Sequence, residues 1–240
     1  MIEVRELEKK FGDFTAVDKI SFEVSKGEIF GLLGENGAGK TTTLRMLSTM
    51  MKPTSGHAVL NGYDTQTEPE KVRTHIGILF GGETGLYDRL TVAENISYFG
   101  ELNGMSKDAI KDRLRQLAQA FGMEDFMDKR ASKLSKGMKQ KAAFARSIVH
   151  DPEIMLFDEP TSGLDVTAAR DVHEFILRCK EKGKTIVFSS HSMSEVEKLC
   201  DRIGIIHKGR LVECGGIEEL KEKYGNDNLE EIFIRLAGAK

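Results

Sequence analysis

A glycine-rich segment of the chain has the residue types and the spacing of a loop that binds phosphate. It reads Gly34-Glu35-Asn36-Gly37-Ala38-Gly39-Lys40-Thr41, which matches the pattern G-x-x-x-x-G-K-[ST]. In such a loop, glycines let the backbone curl so that successive N–H groups face phosphate oxygens. A helix that starts at its end adds a partial positive charge of about +0.5. The alternative is a glycine-rich turn that only caps a helix.

The flanks of this segment favour the phosphate loop. An apolar run at residues 28–33 predicts a buried strand before it, and residues 42–47 predict the first turns of a helix after it. Lys40 is expected to reach the β- and γ-phosphates of a nucleotide, and the Thr41 hydroxyl to bind Mg²⁺. We expect the nucleotide to be bound by Gly34, Glu35, Asn36, Gly37, Ala38, Gly39, Lys40, Thr41 and Thr42.

Two adjacent carboxylates follow a second apolar run, residues 154–157, which is typical of a strand buried on both faces of a parallel sheet. Open α/β sheets place ligands at the carboxyl ends of their strands. We assign Asp158 to holding Mg²⁺ through its water shell, and Glu159 to polarising the water that attacks the γ-phosphate. The alternative is an acidic turn without a catalytic role.

His191 and Phe11 are further candidates for contact with a nucleotide. His191 follows the apolar run at residues 185–188, so it is expected at the same sheet edge as the carboxylates and in contact with the γ-phosphate; a structural histidine is the alternative. Phe11 lies near the predicted turn at Gly12-Asp13. An aromatic side chain there either stacks on an adenine face or packs on the protein surface.

The elements that position these residues alternate between strands and helices, which predicts an α/β fold with a mostly parallel sheet. Residues 2–24 predict antiparallel strands ahead of the phosphate loop. Between residues 91 and 121 the apolar residues recur with helical spacing, and a further helix is expected up to about residue 149. A closing hairpin is expected about Lys208-Gly209, followed by amphipathic helix over residues 220–236 with a turn at residues 225–226.

Composition excludes several classes of protein. The 35 basic and 38 acidic residues of the 240-residue chain give a net charge of −3, without the basic stripe of nucleic-acid binders. The three cysteines form no C-x-x-C pair, which argues against a zinc site or a disulfide framework. No apolar run approaches the length of about 18 residues that spans a membrane. The N-terminus lacks the apolar core of a signal peptide. We therefore expect a soluble protein of a reducing cytoplasm, linked to a membrane only through a partner.

Four segments in a fixed order resemble the nucleotide-binding domain of ATP-binding cassette (ABC) transporters. They are residues 34–41, 134–140 (Leu-Ser-Lys-Gly-Met-Lys-Gln), 157–165 (Phe-Asp-Glu-Pro-Thr-Ser-Gly-Leu-Asp) and His191. The resemblance implies a head-to-tail dimer, most simply of two identical chains, with two ATP molecules between the subunits. It assigns Ser135 and Gly137 to the partner's γ-phosphate, Asp165 to the subunit interface and Phe11 to adenine stacking.

The same resemblance implies ATP hydrolysis with Mg²⁺, and a separate multi-span membrane permease. The chain would lie on the inner face of the cell membrane through that permease. The family usually has Gln in the loop after residues 76–80, whereas this chain has glycine there and Glu83 as the nearest polar residue. The segment at 134–140 and the tail at 229–233 resemble ABC-2-type exporter ATPases, and residues 79–91 are similar to those of ATPases of sodium exporters.

We therefore expect one nucleotide-binding domain over residues 1–240, with a helical subdomain over about 83–150 and a helical tail over about 216–240. Two alternatives remain open. One is a soluble single-cassette ABC ATPase of an assembly system, such as the iron–sulfur type. The other is a nucleotide-binding module without catalysis, which the presence of both Lys40 and Glu159 disfavours.

Overall fold

The computed structural model describes residues 1–80 and 85–238. Its strands form an antiparallel sheet in the order β2-β1-β4-β5 and a second sheet in the order β10-β9-β3-β8-β7-β6. Their bounds are β1 Ile2–Phe11, β2 Phe14–Val24, β3 Ile29–Leu33, β4 Ser55–Leu60, β5 Tyr63–Asp64, β6 Ile76–Leu79, β7 Ile154–Asp158, β8 Thr185–Ser190, β9 Arg202–His207 and β10 Arg210–Gly216. The α-helices are α1 Lys40–Leu47, α2 Pro69–His75, α3 Val92–Leu102, α4 Lys107–Phe121, α5 Lys136–Ser147, α6 Val166–Glu181, α7 Met193–Leu199, α8 Ile217–Tyr224 and α9 Leu229–Gly238.

The six-stranded sheet is the middle layer of the fold. It is parallel from β9 through β6, and only β10 pairs antiparallel. Successive side chains of a strand point to opposite faces. In β3, Ile29 and Leu33 therefore enter the core shared with the helices of residues 92–199, whereas Phe30 and Leu32 enter the core beneath the antiparallel sheet. Both faces of β3 are covered, which is why every residue in it is buried.

The helices between β6 and β7 begin where the local sequence supplies caps. Thr91 and Glu94 form a capping box at the start of α3. The Ser106 side chain accepts a hydrogen bond from the Ala109 N–H at the start of α4. Gly122 ends α4 in a left-handed conformation. Among the described residues, no helix combines the length and the apolar character needed to cross a membrane.

The predicted fold class is confirmed: the structure has the antiparallel N-terminal sheet, the mostly parallel sheet and the helices inserted between β6 and β7. The predicted hairpin about Lys208-Gly209 is present as β9 and β10. Among the strands and α-helices of the described residues, β5, α2 and α7 were not predicted. Each is too short to show a periodic pattern. Helix α8 starts at Ile217, three residues before the amphipathic pattern that was expected over residues 220–236.

Candidate functional site

The carboxyl ends of β3, β7 and β8 lie next to one another, because β8 is hydrogen-bonded between the other two strands. In this register Leu33 lies opposite Ser190, and Asp158 lies opposite Ser189. The glycine-rich segment leaves β3, the two carboxylates leave β7, and His191 leaves β8. The fold thus brings to one edge residues that are more than a hundred positions apart in the chain.

The glycine-rich segment is packed too closely for side chains at two of its glycines. A Cβ at Gly34 would lie 2.4 Å from the Ile206 carbonyl oxygen, and one at Gly39 would lie 2.6 Å from the Ala16 carbonyl oxygen. Gly39 also has φ of +111°, in the left-handed region. The first turn of α1 contains no acidic residue that would offset its partial positive charge. The segment is therefore shaped to receive an anion.

Lys40 is a buried cation within this segment, with 4% of its side chain exposed. Its Nζ donates hydrogen bonds to the carbonyl oxygens of Gly34 at 2.6 Å and Glu35 at 3.0 Å, and lies 3.9 Å from Glu159 Oε1. Burial lowers the pKa of Lys40, although the carboxylates of Glu159, Asp158 and Glu35 act in the opposite direction. A bound phosphate oxygen would place a negative charge next to this ammonium, whereas the carbonyl oxygens that accept its hydrogen bonds are neutral.

Thr41 and Asp158 are paired directly. The Thr41 hydroxyl lies 3.0 Å from Asp158 Oδ1 and 2.9 Å from Oδ2, and the Ser189 hydroxyl donates to Oδ1 at 2.6 Å. A hydroxyl beside a carboxylate is the oxygen donor set that Mg²⁺ prefers. In the described part of the chain, no group of three or more His, Cys, Asp or Glu residues is placed to hold a metal. The two side chains therefore suit a cation that takes its other oxygens from phosphate and water.

Glu159 has a backbone conformation that is unusual for a residue other than glycine, with φ of +46°. Its N–H donates to the Ser189 carbonyl oxygen at 3.2 Å and to the Ser189 hydroxyl at 3.0 Å. Left-handed backbone costs about 1–3 kcal/mol at such a residue, and it persists where the surroundings hold it in place. As a result the side chain turns away from the strand, and its Oε1 lies 3.1 Å from His191 Nδ1.

A pocket of about 290 Å³ lies beside the glycine-rich segment, although Gly34, Glu35 and Ala38 do not line it. Phe11 and Phe14 lie on one side of this pocket, with 49% and 64% of their surface exposed. The two aromatic residues are cross-strand partners at the turn between β1 and β2. Phe14 was missed in the sequence, although its position across a two-residue turn from Phe11 was the available signal. The pocket is also lined by Asn36, Gly37, Gly39, Lys40, Thr41, Thr42 and Glu159.

Ala38 is 5% exposed and supports the loop through hydrogen bonds to Glu35 and Gly209.

Ser135, Gly137 and Asp165 lie at the starts of two other helices. Ser135 caps α5 by accepting a hydrogen bond from the Met138 N–H at 3.3 Å, and Asp165 caps α6 by accepting from the Ala168 N–H at 2.8 Å. The described hydrogen bonds of these two side chains stay within their own helices. A Cβ at Gly137 would meet no described atom within 4 Å. Nothing within the described part of one subunit thus requires glycine at this position.

Glu83 and the rest of residues 81–84, the loop with glycine in place of the usual Gln, lie outside the described residues. Ser189 is a site residue that sequence reasoning missed as well. It supports both Asp158 and Glu159, and its position at the end of the strand before His191 was the available signal.

Comparison with known proteins gives consistent matches. Residues 17–162 match the family model described as ABC transporter. The chain is 47% identical over 238 residues to the ABC transporter ATP-binding protein NatA of Bacillus subtilis, covering 98% of this chain and 97% of that protein. A solved ATP-binding subunit of an ABC transporter superposes with a TM-score of 0.91 at 30% identity, covering 98% of this chain and 99% of the other. The dimeric ATP-binding cassette MJ0796, in a post-hydrolysis state bound to ADP and Pi, superposes with a TM-score of 0.83 at 25% identity, covering 90% and 98%.

Proposed function

The chain belongs to the ABC transporter family and is one of its ATPases, and from this premise we propose that it is the ATP-hydrolysing subunit of an exporter. Two subunits bind head-to-tail around two ATP molecules and drive a separate membrane permease. One observation carries the proposal. Lys40, the Thr41–Asp158 pair and Glu159 lie close together beside a pocket that has aromatic residues on one side. These groups supply phosphate binding, oxygen donors for a cation, a base and a surface for adenine.

Each residue has a distinct role in the proposed reaction. Lys40 and the backbone N–H groups of the loop offset charge on the transferring phosphoryl group. Thr41 and Asp158 would hold Mg²⁺, which when bound neutralises charge on the phosphate oxygens. Glu159 orients the attacking water and accepts its proton. His191, 3.1 Å from Glu159 Oε1, fixes the orientation of that carboxylate and contacts the γ-phosphate.

The second half of each ATP site comes from the partner subunit in this proposal. Ser135 and the Gly137 N–H, at the N-terminus of α5, bind the γ-phosphate of the ATP held by the other subunit. Asp165, at the start of α6, lies at the interface. The open space around Gly137 supports this arrangement, because a glycine without a packing role in its own subunit leaves room for a closely approaching ligand.

Transport rather than a soluble function is supported by an exposed aromatic surface formed by α3 and the segment just before it. Tyr87 and Tyr98 are 49% and 40% exposed and lie edge to face, with ring centroids 5.5 Å apart. Leu102, one turn further along α3, is 62% exposed. These side chains come after residues 81–85 in the sequence, and we propose that this surface contacts the permease. The protein would then lie on the cytoplasmic face of the membrane, and the helical subdomain over about 83–150 would transmit dimer closure.

We further propose sodium as the exported ion, on the resemblance of residues 79–91 to ATPases of sodium exporters. The alternative remains a soluble ABC ATPase of an assembly system. Co-purification of the tagged chain from native membranes in mild detergent separates the two. Transport predicts a multi-span membrane protein in stoichiometric amount, lost when Tyr98→Ser and Leu102→Ser are combined. Recovery of only soluble partners, with the chain absent from the membrane fraction, contradicts the proposal.

A further inference from the structure

Glu195 is a buried carboxylate on α7, outside the pocket described above, with 7% of its surface exposed. It accepts three hydrogen bonds from side chains of three segments, namely the turn after β7, helix α6 and strand β8. The Thr161 hydroxyl donates to Oε1 at 2.6 Å, and His173 Nε2 lies 3.0 Å from the same oxygen. The Ser190 hydroxyl donates to Oε2 at 2.6 Å. Burial raises the pKa of Glu195, but the hydrogen bonds from His173, Ser190 and Thr161 outweigh it and lower the pKa overall.

The two hydroxyl partners belong to the segments that carry the proposed catalytic side chains. Thr161 lies two residues after Glu159, and the Ser162 N–H donates to the Glu159 carbonyl oxygen at 3.0 Å, so this segment folds back on Glu159. Ser190 directly precedes His191. One carboxylate therefore joins the end of β7 to the end of β8, with one oxygen for each segment.

We propose that Glu195 is a positioning residue for ATP hydrolysis, which holds Glu159 and His191 at the distance their joint action requires. The inference rests on the roles proposed above for Glu159 and His191. The 3.1 Å separation of His191 Nδ1 and Glu159 Oε1 joins two segments that leave different strands. The hydrogen bonds from the Glu159 N–H to Ser189 join the two strand ends at the backbone, and Glu195 adds a side-chain link between Thr161 and Ser190. His173, on α6, holds the Glu195 carboxylate through a further hydrogen bond to Oε1.

The position of this network predicts which kinetic constant depends on it. The described hydrogen bonds of Glu195 involve neither the glycine-rich segment nor the aromatic pair, so they leave the residues that bind phosphate and adenine in place. A misplacement of about 1 Å costs up to about a hundredfold in rate. We therefore expect loss of the tie to lower kcat and to leave the KM for ATP nearly unchanged.

The first test compares Glu195→Gln with the matched control Glu197→Gln. Glu197 lies on the same helix but pairs with Lys221 at the surface. The amide that replaces the Glu195 carboxylate retains its volume. Its NH₂ group cannot accept a hydrogen bond, so either the Ser190 hydroxyl or the Thr161 hydroxyl loses its acceptor. We expect kcat for ATP to fall by about tenfold or more, the cost of one strong hydrogen bond, with KM within about twofold. The control is expected to retain both constants. A Glu195→Gln variant with wild-type kcat would overturn the inference.

A second test separates positioning from packing at Thr161. Thr161→Val preserves the shape of the side chain and removes the hydroxyl, whereas Thr161→Ser keeps the hydroxyl and removes a methyl group. Positioning predicts that the serine variant keeps a higher kcat than the valine variant, and that Thr161→Val adds little in the Glu195→Gln background. A packing role predicts the reverse order, and that result would refute the inference.

Glu159→Gln measured in the same assay keeps this inference distinct from the proposed function. If that variant retains turnover, the role of Glu159 is wrong and the premise of the inference falls with it. If it loses turnover while Glu195→Gln and Thr161→Val remain at the wild-type rate, the proposed function stands and only the positioning role of Glu195 is refuted.

Discussion

Gly137→Ala is predicted to stabilise the isolated subunit and to impair its ATPase activity. Gly137 lies in α5, its φ is not positive, and an added Cβ would meet no described atom within 4 Å. Alanine is more favourable than glycine by about 0.5–1 kcal/mol in a helix interior, and this is the upper bound for Gly137, the second residue of α5. For a domain of this size, the gain corresponds to an increase of about 1–4 °C in the unfolding temperature.

The effect on activity has the opposite sign, because the open space next to Gly137 is where we place the partner's nucleotide. An extra methyl group in a close-packed contact costs about 1–3 kcal/mol. If this cost applies to the transition state of hydrolysis in the closed dimer, turnover falls by roughly 5- to 150-fold. Phosphate release by the purified chain at saturating ATP measures the change, and thermal unfolding of the same preparation measures the stability.

Gly100→Ala is a useful contrast, since a Cβ there would lie 2.8 Å from Ile110 Cγ1 and should lower the unfolding temperature. It shows that the thermal assay responds to packing in this helical part of the chain. The reasoning about Gly137 is refuted if Gly137→Ala hydrolyses ATP at the wild-type rate. It is also refuted if the variant loses activity only in proportion to a loss of folded protein.

Two further predictions concern phosphate and metal binding. Lys40→Ala removes the buried ammonium 2.6 Å from the Gly34 carbonyl oxygen, so we expect ATP binding and turnover to be lost together. Equilibrium binding of labelled ATP measures the affinity, and an unchanged affinity would contradict the role of Lys40 in phosphate binding. Thr41→Val removes the hydroxyl that lies 2.9 Å from Asp158 Oδ2, so half-maximal activity should require about tenfold more Mg²⁺. An unaltered Mg²⁺ dependence of ATP hydrolysis would contradict the assignment of Thr41 and Asp158 as the Mg²⁺ donors.

Much of the fold could be predicted from the sequence because its strongest patterns are local. The apolar run Ile154-Met155-Leu156-Phe157 predicted a strand buried on both faces, and the structure divides these four side chains alternately between two cores. The helical spacing of apolar residues between 91 and 121 predicted the helical segment in which α3 and α4 lie. By contrast, α7 spans seven residues, too few to show helical periodicity.

The candidate site was predictable only where one rule of topology sufficed. Asp158 and His191 follow apolar strands, and the rule that parallel strands end at one edge brought them together. The left-handed backbone of Glu159 was not predictable, because it depends on hydrogen bonds to Ser189, thirty residues further along. The Glu195 network was missed for the same reason, since its partners come from three elements and share no local pattern.

The central claim is that this chain hydrolyses ATP with Glu159 as the base, in a dimer that closes around the nucleotide. Glu159→Gln is its most direct test, because the amide keeps the size of the side chain and its place 3.1 Å from His191 Nδ1. We predict unchanged ATP binding, a loss of turnover of about 10²- to 10⁴-fold, and a dimer that persists with ATP in size-exclusion chromatography. Phosphate release near the wild-type rate, or a monomer at saturating ATP, would contradict the account.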